Sequence, residues 1–293
     1  MVNLRDLRMR MRAISQTLQV TSAMNLISTS KLRKGRRVLE DTEPYFIRIH
    51  KSMYDLLSSA GNVESEFFRK PLAGRNARSA VIVITSDKGL AGGYNANVIR
   101  HAKELCETVQ NPALILIGNI GHRYFAHTSY EIFEHFSYHS QLPVVDDAGD
   151  VANYITSQFL KGTFDEIYLV YTHMYSSIKH IPLVNQILPL DPVKIQTELS
   201  KMGDVKRVDL KFEFIPSKEE VFDALVPQYI KGIVYGCMVE AYASEQSARM
   251  AAMDEATKSA EDMLAGLQLV YNRARQAGIT QEMSEIVGGA VAL

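Results

Sequence analysis

The stretch Ile230-Lys-Gly-Ile-Val-Tyr-Gly-Cys-Met-Val-Glu-Ala-Tyr-Ala-Ser-Glu-Gln-Ser-Ala-Arg-Met-Ala251 decides the fold. Within it Ile230, Val234, Cys237, Ala241, Ser244, Ala248 and Ala251 recur in steps of four and three. That spacing lays one stripe along a helix built to pair with another helix. No proline follows Pro227, so 66 residues are free of the strongest helix breaker and would span about 100 Å if wholly helical. From Ala241 to Ala265 eight alanines, with Ser244, Ser247 and Ser259, keep the side chains small. Small side chains let a second helix approach closely and leave little bulk to catch on a neighbouring surface.

The first segment supplies that second helix. Leu4, Leu7, Met11, Ile14 and Leu18 step by three, four, three and four. Thr21 and Asn25 come next in this register and are polar, whereas Val20, Met24 and Ile27 restart an apolar stripe. The spacing therefore predicts a seam that shifts sideways through a stutter. The helix can run to the residues before Pro44, roughly 60 Å at about 1.5 Å per residue. An antiparallel pair formed by the two ends of the chain buries both stripes. The expected organisation is a coiled-coil helix over 1–58, a central α/β domain over 77–215 and a second coiled-coil helix over 218–293.

Charge follows the same division. The chain of 293 residues holds 32 Lys and Arg against 33 Asp and Glu, for a net charge of −1. Residues 1–37 carry +8 and residues 219–293 carry −6, so the ends are of opposite sign, suited to each other or to different partners. The near-neutral sum excludes a globally basic nucleic-acid binder. A hydrophobic fraction of 46% and a charged fraction of 22% exclude a disordered chain. Cys106 and Cys237 form neither a disulfide framework nor a zinc motif. No apolar run approaches the ~20 residues of a membrane span. The Arg-rich start also admits a mitochondrial transit peptide, which its heptad continuation into Ser28–Lys34 argues against.

The middle reads as alternating strands and helices around a largely parallel sheet. Ser79–Thr85 and Ala113–Ile117 are short β-branched or apolar runs of buried-strand type, and Glu166–Tyr171 is the third strand expected. Ile187-Leu188 and Leu210–Phe214 suggest a further strand or hairpin, and 61–76 and 141–150 read as surface connections. The Gly-rich loop Ser86–Asn95 precedes a helix over Ala96–Thr108, which raises phosphate binding at a helix N-terminus. Its Gly89-x-x-Gly92-Gly93 is neither a dinucleotide fingerprint nor a P-loop. His127, Glu131, His135 and His139 fall four apart, as metal ligands on one helix face would. Tyr130, Ile132, Phe133, Phe136 and Tyr138 make the same stretch equally strand-like, and a strand scatters that set. Asp146, Asp147 and Asp150 read as a solvated loop. No catalytic arrangement stands out.

Three blocks in one order resemble a known family. Thr21–Leu26 with Ser30–Lys34, the loop Ser86–Asn95, and the run Ser244–Asp254, Leu267–Gln276 and Ile279–Gly289 are similar to the signatures of the gamma subunit of bacterial F-type ATP synthases. The resemblance covers essentially the whole chain. The sequence departs from the family at Ser22, where lysine is usual, and at Ala91, where cysteine is common. It has no cysteine-bearing insert like that of chloroplast relatives.

The resemblance implies a fold of α/β class: a long antiparallel coiled coil of the N- and C-terminal helices plus a central Rossmann-like α/β domain. It implies a rotor shaft without an active site, cofactor or metal of its own. The shaft turns inside a ring of alpha and beta subunits, with the epsilon subunit and the c-ring below. No nucleic acid is involved, and association with the cell membrane is peripheral, through the complex, on the cytoplasmic face. By the same carry-over, Met24, Arg33, Lys34, Arg249, Gln276, Thr280 and Glu282 contact the beta subunit, and Arg36 and Arg37 extend the basic face. Ile286, Val287, Val291 and Leu293 would turn in the apolar collar of the hexamer. Two other classes stay open on the residues alone: a nucleotide-binding α/β enzyme with helical extensions, and a basic coiled-coil adaptor for RNA or membrane.

Overall fold

The computed structural model describes residues 3–59, 63–70, 77–138, 142–176, 179–193, 195 and 215–291. A five-stranded sheet occupies the middle of the chain: β1 (Ser79–Ile84), β2 (Pro112–Ile117), β3 (Glu131–Phe136), β4 (Glu166–Met174) and β5 (His180–Leu188), in the order β3-β2-β1-β4-β5. Strands β1 to β4 are parallel, and β5 runs antiparallel along β4. Between them lie α2 (Tyr94–Thr108), α3 (Asn119–Phe125) and α4 (Val145–Leu160). Two long helices flank this region in sequence, α1 (Leu4–Ser59) and α5 (Lys218–Val291). The chain divides into two compact units, one of residues 30–248 and one of residues 1–29 with 249–293.

In the larger unit every residue of β1 is buried, because the sheet is covered on both faces. Side chains alternate across a strand, so Ala80, Ile82 and Ile84 enter one core with Ile155 and Phe159 of α4, while Val81 and Val83 enter another with Val98 and Ala102 of α2. The first core also takes Met53 and Leu56 of α1 and Phe222, Val226 and Ile230 of α5.

Several expectations change here. The stretch around His135 is a strand, β3, so Glu166–Met174 is the fourth strand rather than the third. Residues 145–150 open α4 rather than forming a loop. Asp146 and Asp147 lie in its first turn, where helix-terminal amides favour negative charge, and Asp147 Oδ2 accepts from the Val144 amide at 3.3 Å. The expected strand Leu210–Phe214 lies outside the described residues.

The helix α1 passes Pro44, where the local pattern alone would end it, and continues to Ser59, close to the bound of the helix expected over 1–58. A proline inside a helix costs about 3 kcal/mol. Beyond it Ile49, Met53, Leu56 and Leu57 are buried in the sheet's core, and each such side chain contributes about 1.5–3 kcal/mol. Packing outweighs the breaker. Pro227 lies inside α5 in the same way, between buried Val226 and Tyr229.

Candidate functional site

In the smaller unit the two long helices pair antiparallel. Arg8 Nη2 donates to the Tyr271 hydroxyl at 2.6 Å, the Thr257 hydroxyl donates to that of Thr21 at 2.8 Å, and Asn25 Nδ2 donates to the Met250 carbonyl at 3.2 Å. Leu7, Thr21 and Ser28 are buried on α1, seven or fourteen residues apart, with half-buried Ile14 filling the gap. Met253 and Ala260 are buried on α5, also seven apart.

The seam therefore does not shift sideways on α1. It stays in register through polar Thr21, Asn25 and Ser28, while Val20 and Ile27 are 58% and 57% exposed. Small hydroxyl residues fit against the alanine-rich face of α5 and satisfy their polar groups within the pair or on their own helix: the Thr21 hydroxyl also donates to the Leu18 carbonyl at 3.1 Å. Larger apolar residues at these positions would hold the backbones apart. On α5 the expected stripe holds through Ser244, which is fully buried, but Ala251 is exposed because Met253 takes the seam.

The residues expected to touch other subunits differ in exposure. Met24 is half-buried, Arg249 is buried, and Gln276, Thr280 and Glu282 are exposed. The Thr280 hydroxyl donates to the Gln276 carbonyl one turn back, at 3.0 Å. Past Arg8 and Tyr271, α5 runs on beyond the start of its partner. There Ile279, Met283, Ile286 and Val287 share a helix face and are all exposed, Ile286 by 72% and Val287 by 60%. Val291 ends α5 and Leu293 lies outside the described residues. A run of large apolar side chains left in solvent on one helix face marks a contact surface.

In the larger unit Arg33, Lys34 and Arg37 are exposed on α1, Arg36 is half-buried, and Arg37 pairs with Asp41 one turn on at 3.8 Å. The loop Ser86–Asn95 is tied to itself. The Ser86 amide donates to Asn95 Oδ1 at 3.0 Å, Asn95 Nδ2 donates to the Ser86 hydroxyl at 2.8 Å, and that hydroxyl donates to the Lys88 carbonyl at 2.8 Å. Asp87 Oδ1 accepts from the Asn119 amide and side chain at 3.0 and 2.9 Å, joining the loop to α3. Leu90 and Gly92 turn the chain through positive φ, and Ala91 is buried. The hollow between this loop, Tyr138 and Tyr242 of α5 measures about 60 Å³, too small for a nucleotide.

The spaced acid and histidines do not converge. Glu131 takes both its oxygens to Arg78 Nη2, at 2.7 and 2.8 Å, and His135 stacks on His122 with ring centres 4.2 Å apart. His127 is exposed, and His139 lies outside the described residues. Among the described residues no three His, Cys, Asp or Glu side chains gather as metal ligands. Burial pushes the His135 ring below the ordinary histidine pKa, with the charge of His122 adding to the effect.

Comparison with known proteins fits this geometry. A family model describing ATP synthase matches residues 3–293. The ATP synthase gamma chain of Acetivibrio thermocellus is 42% identical over the full length of both chains. This chain belongs to the ATP synthase gamma chain family. Another relative is the sodium ion specific ATP synthase gamma chain of Acetobacterium woodii, 37% identical over 99% of each chain. Solved structures share the fold. A central stalk and c-ring structure of Tetrahymena thermophila mitochondrial ATP synthase aligns with a TM-score of 0.61 at 22% identity, covering 81% of this chain and 99% of that one. A structure of the Euglena gracilis mitochondrial enzyme aligns at 0.65 and 17% identity, over 99% and 94%.

Family membership gives meaning to the features that sequence reasoning missed. The polar seam is visible as two seven-residue repeats, Thr21 and Ser28 continuing Leu7 and Ile14 and Asn25 continuing Leu4, Met11 and Leu18, once polar residues are allowed to count as seam positions. The role of Asn95, which closes the Gly-rich loop onto Ser86, leaves no trace in spacing. No helix among the described residues is long and apolar enough to cross a membrane.

Proposed function

We propose that this chain is the central rotor shaft of an F-type ATP synthase, turning ion-driven rotation of a c-ring into conformational cycling of catalytic beta subunits. The observation that carries the reading is the form of the smaller unit: two paired helices with a small-residue seam, and an α5 that continues alone with Ile279, Met283, Ile286 and Val287 exposed. Such an end suits an apolar collar, because apolar contacts have no preferred direction and do not lock a rotating part.

The chain makes and breaks no bonds in this role. It supplies contacts that differ between the open and closed states of each beta subunit as it turns. A ligand or partner moves an equilibrium only by its differential affinity for the two states. Carrying a site from about 1:99 to 99:1 takes about 5.5 kcal/mol of difference. Arg249, Gln276, Thr280 and Glu282 are our candidates for the polar grip on the beta subunit, with Met24, Arg33 and Lys34 as further contacts. Ile286, Val287, Val291 and Leu293 are the candidates for the collar. The sheet unit would meet the epsilon subunit and the c-ring, and the complex would hold the chain at the cytoplasmic face of a bacterial membrane.

Mixing the full chain with purified alpha and beta subunits tests this. The expected result is one stable complex that hydrolyses ATP faster than alpha and beta alone. Failure to co-purify, or hydrolysis indifferent to the chain, overturns it.

A further inference from the structure

Within the larger unit, between residues 39–50 of α1 and 229–240 of α5 and against Tyr171 of β4, lies a cavity of about 500 Å³. Small-molecule sites commonly fall in the range of roughly 300–1,000 Å³. Its walls are Phe46, Ile49, Tyr171 and Tyr229. The space depends on two glycines one turn apart on α5: a Cβ on Gly232 would stand 3.2 Å from the Phe46 ring, and one on Gly236 3.5 Å from it.

Two observations say what the cavity suits. His50 lines it and is only 9% exposed, yet its Nδ1 has no hydrogen-bond partner. Buried polar atoms in folded proteins are nearly always paired, so this one is a partner in waiting. Burial lowers the pKa of the ring, which favours the neutral imidazole. The lining also carries Glu40, Glu43 and Glu240 and neither lysine nor arginine. Glu240 takes His173 Nδ1 at 2.9 Å, which leaves Glu40 and Glu43, on the exposed face of α1, to set the sign of the mouth.

We propose that this cavity binds a small organic cation, its ring-bearing apolar body seated on Phe46, Ile49, Tyr171 and Tyr229, its ammonium held by Glu40 and Glu43, and a polar hydrogen meeting His50 Nδ1. The aromatic walls add to the preference for positive charge, since a ring face attracts a cation. The site is independent of the rotor reading, because it lies wholly within one unit of the chain and needs no other subunit.

The test uses the purified full chain and three probes of one shape and different charge: 3,3-diphenylpropylamine, 3,3-diphenylpropanol and 3,3-diphenylpropanoate, measured by equilibrium dialysis. The amine is expected to bind one equivalent per chain, about five- to tenfold tighter than the alcohol, with the acid weakest. Glu40→Gln with Glu43→Gln should bring the amine down to the alcohol's affinity and leave the alcohol unchanged. Gly236→Leu, which fills the hollow, should abolish binding of both. Equal binding of the three probes, no saturable binding, or an amine affinity indifferent to the glutamine pair would overturn the proposal. The glutamine pair lies on an exposed helix face, so the test stands even where Gly236→Leu impairs folding.

Discussion

Gly118→Ala should break the joint between β1, β2 and the Gly-rich loop. Gly118 sits at φ +94°, and a Cβ there would fall against the Thr85 carbonyl, within 2.8 Å of its carbon. The left-handed backbone alone costs an alanine about 1–2 kcal/mol. The clash is with backbone, so Thr85 must move. Three of the hydrogen bonds of Thr85 are at stake: its amide and its hydroxyl donate to the Ile117 carbonyl at 2.8 and 3.1 Å, and its hydroxyl accepts from the Gly121 amide at 2.9 Å. At about 1 kcal/mol each, the total loss is about 4–5 kcal/mol. For a unit of this size that lowers the melting temperature by about 8–20 °C. Gly162→Ala is the control, because Gly162 also has positive φ, +73°, but nothing lies within 4 Å of the added carbon. It should cost only the backbone share, about 1–2 kcal/mol. Thermal melting, with hydrogen exchange of the β1 and β2 amides, reads the difference. Gly118→Ala melting within about 3 °C of Gly162→Ala, with β1 protection intact, would refute the reasoning.

Other outcomes follow from the same geometry. Thr21→Val and Thr257→Val should each destabilise the helix pair by about 1 kcal/mol, and the double variant should recover most of that loss; additive losses would show that the bond between them is not a coupled one. Gln276→Ala, at an exposed position, should leave melting unchanged while its combination with Arg249→Ala weakens coupling; unchanged ion-driven ATP synthesis in reconstituted vesicles would defeat that expectation. Burial depresses the pKa of His50 from its ordinary 6.5, so the folded chain binds that proton more weakly than the unfolded one. The stability this contributes is full above about pH 6.5 and is lost as pH falls through the folded value. His135 and His180 carry the same sign. His50→Leu should therefore lose less stability than the parent chain between about pH 7 and 5, read as urea midpoints; equal losses would remove His50 from the account.

Sequence reasoning reached the paired ends, the parallel sheet and the loop before α2, because hydrophobic period and glycine placement are local signals. It failed where a long-range term overrode a local one. Pro44 reads as a stop, yet four buried side chains beyond it carry α1 on to Ser59. Val20 and Ile27 read as seam and Thr21 as an interruption, yet the helix across from them is built of alanine and serine. Close approach rewards a small residue, so Thr21 goes inside and Val20 outside. The acids of 146–150 read as loop because the buried face of the helix they open begins with small Ala148 and Gly149, and large apolar residues join it only from Val151 onward.

The sheet unit shows why a Rossmann-like scaffold here need not be an enzyme. In open parallel sheets ligands bind beyond the carboxyl ends of the strands. At that edge of β1 and β2, Met238 and Tyr242 of α5 and Tyr138 close in on the Gly-rich loop and leave about 60 Å³. The Ser86 amide, which could meet a phosphate, is already spent on Asn95, and the Asp87 carboxylate, bound to Asn119, places a repelling negative charge at the same edge. The Gly-rich loop is thus a clasp that holds β1, α2 and α3 together beneath a helix, and the conformational freedom of Gly92 and Gly118 serves tight closure. A scaffold meant to transmit torque gains from filling that edge, since every internal bond made there is one less place for the unit to yield. Asn95→Ala offers a direct check: it should loosen exchange protection of the loop and of the first turn of α2, and it should create no affinity for ATP or ADP.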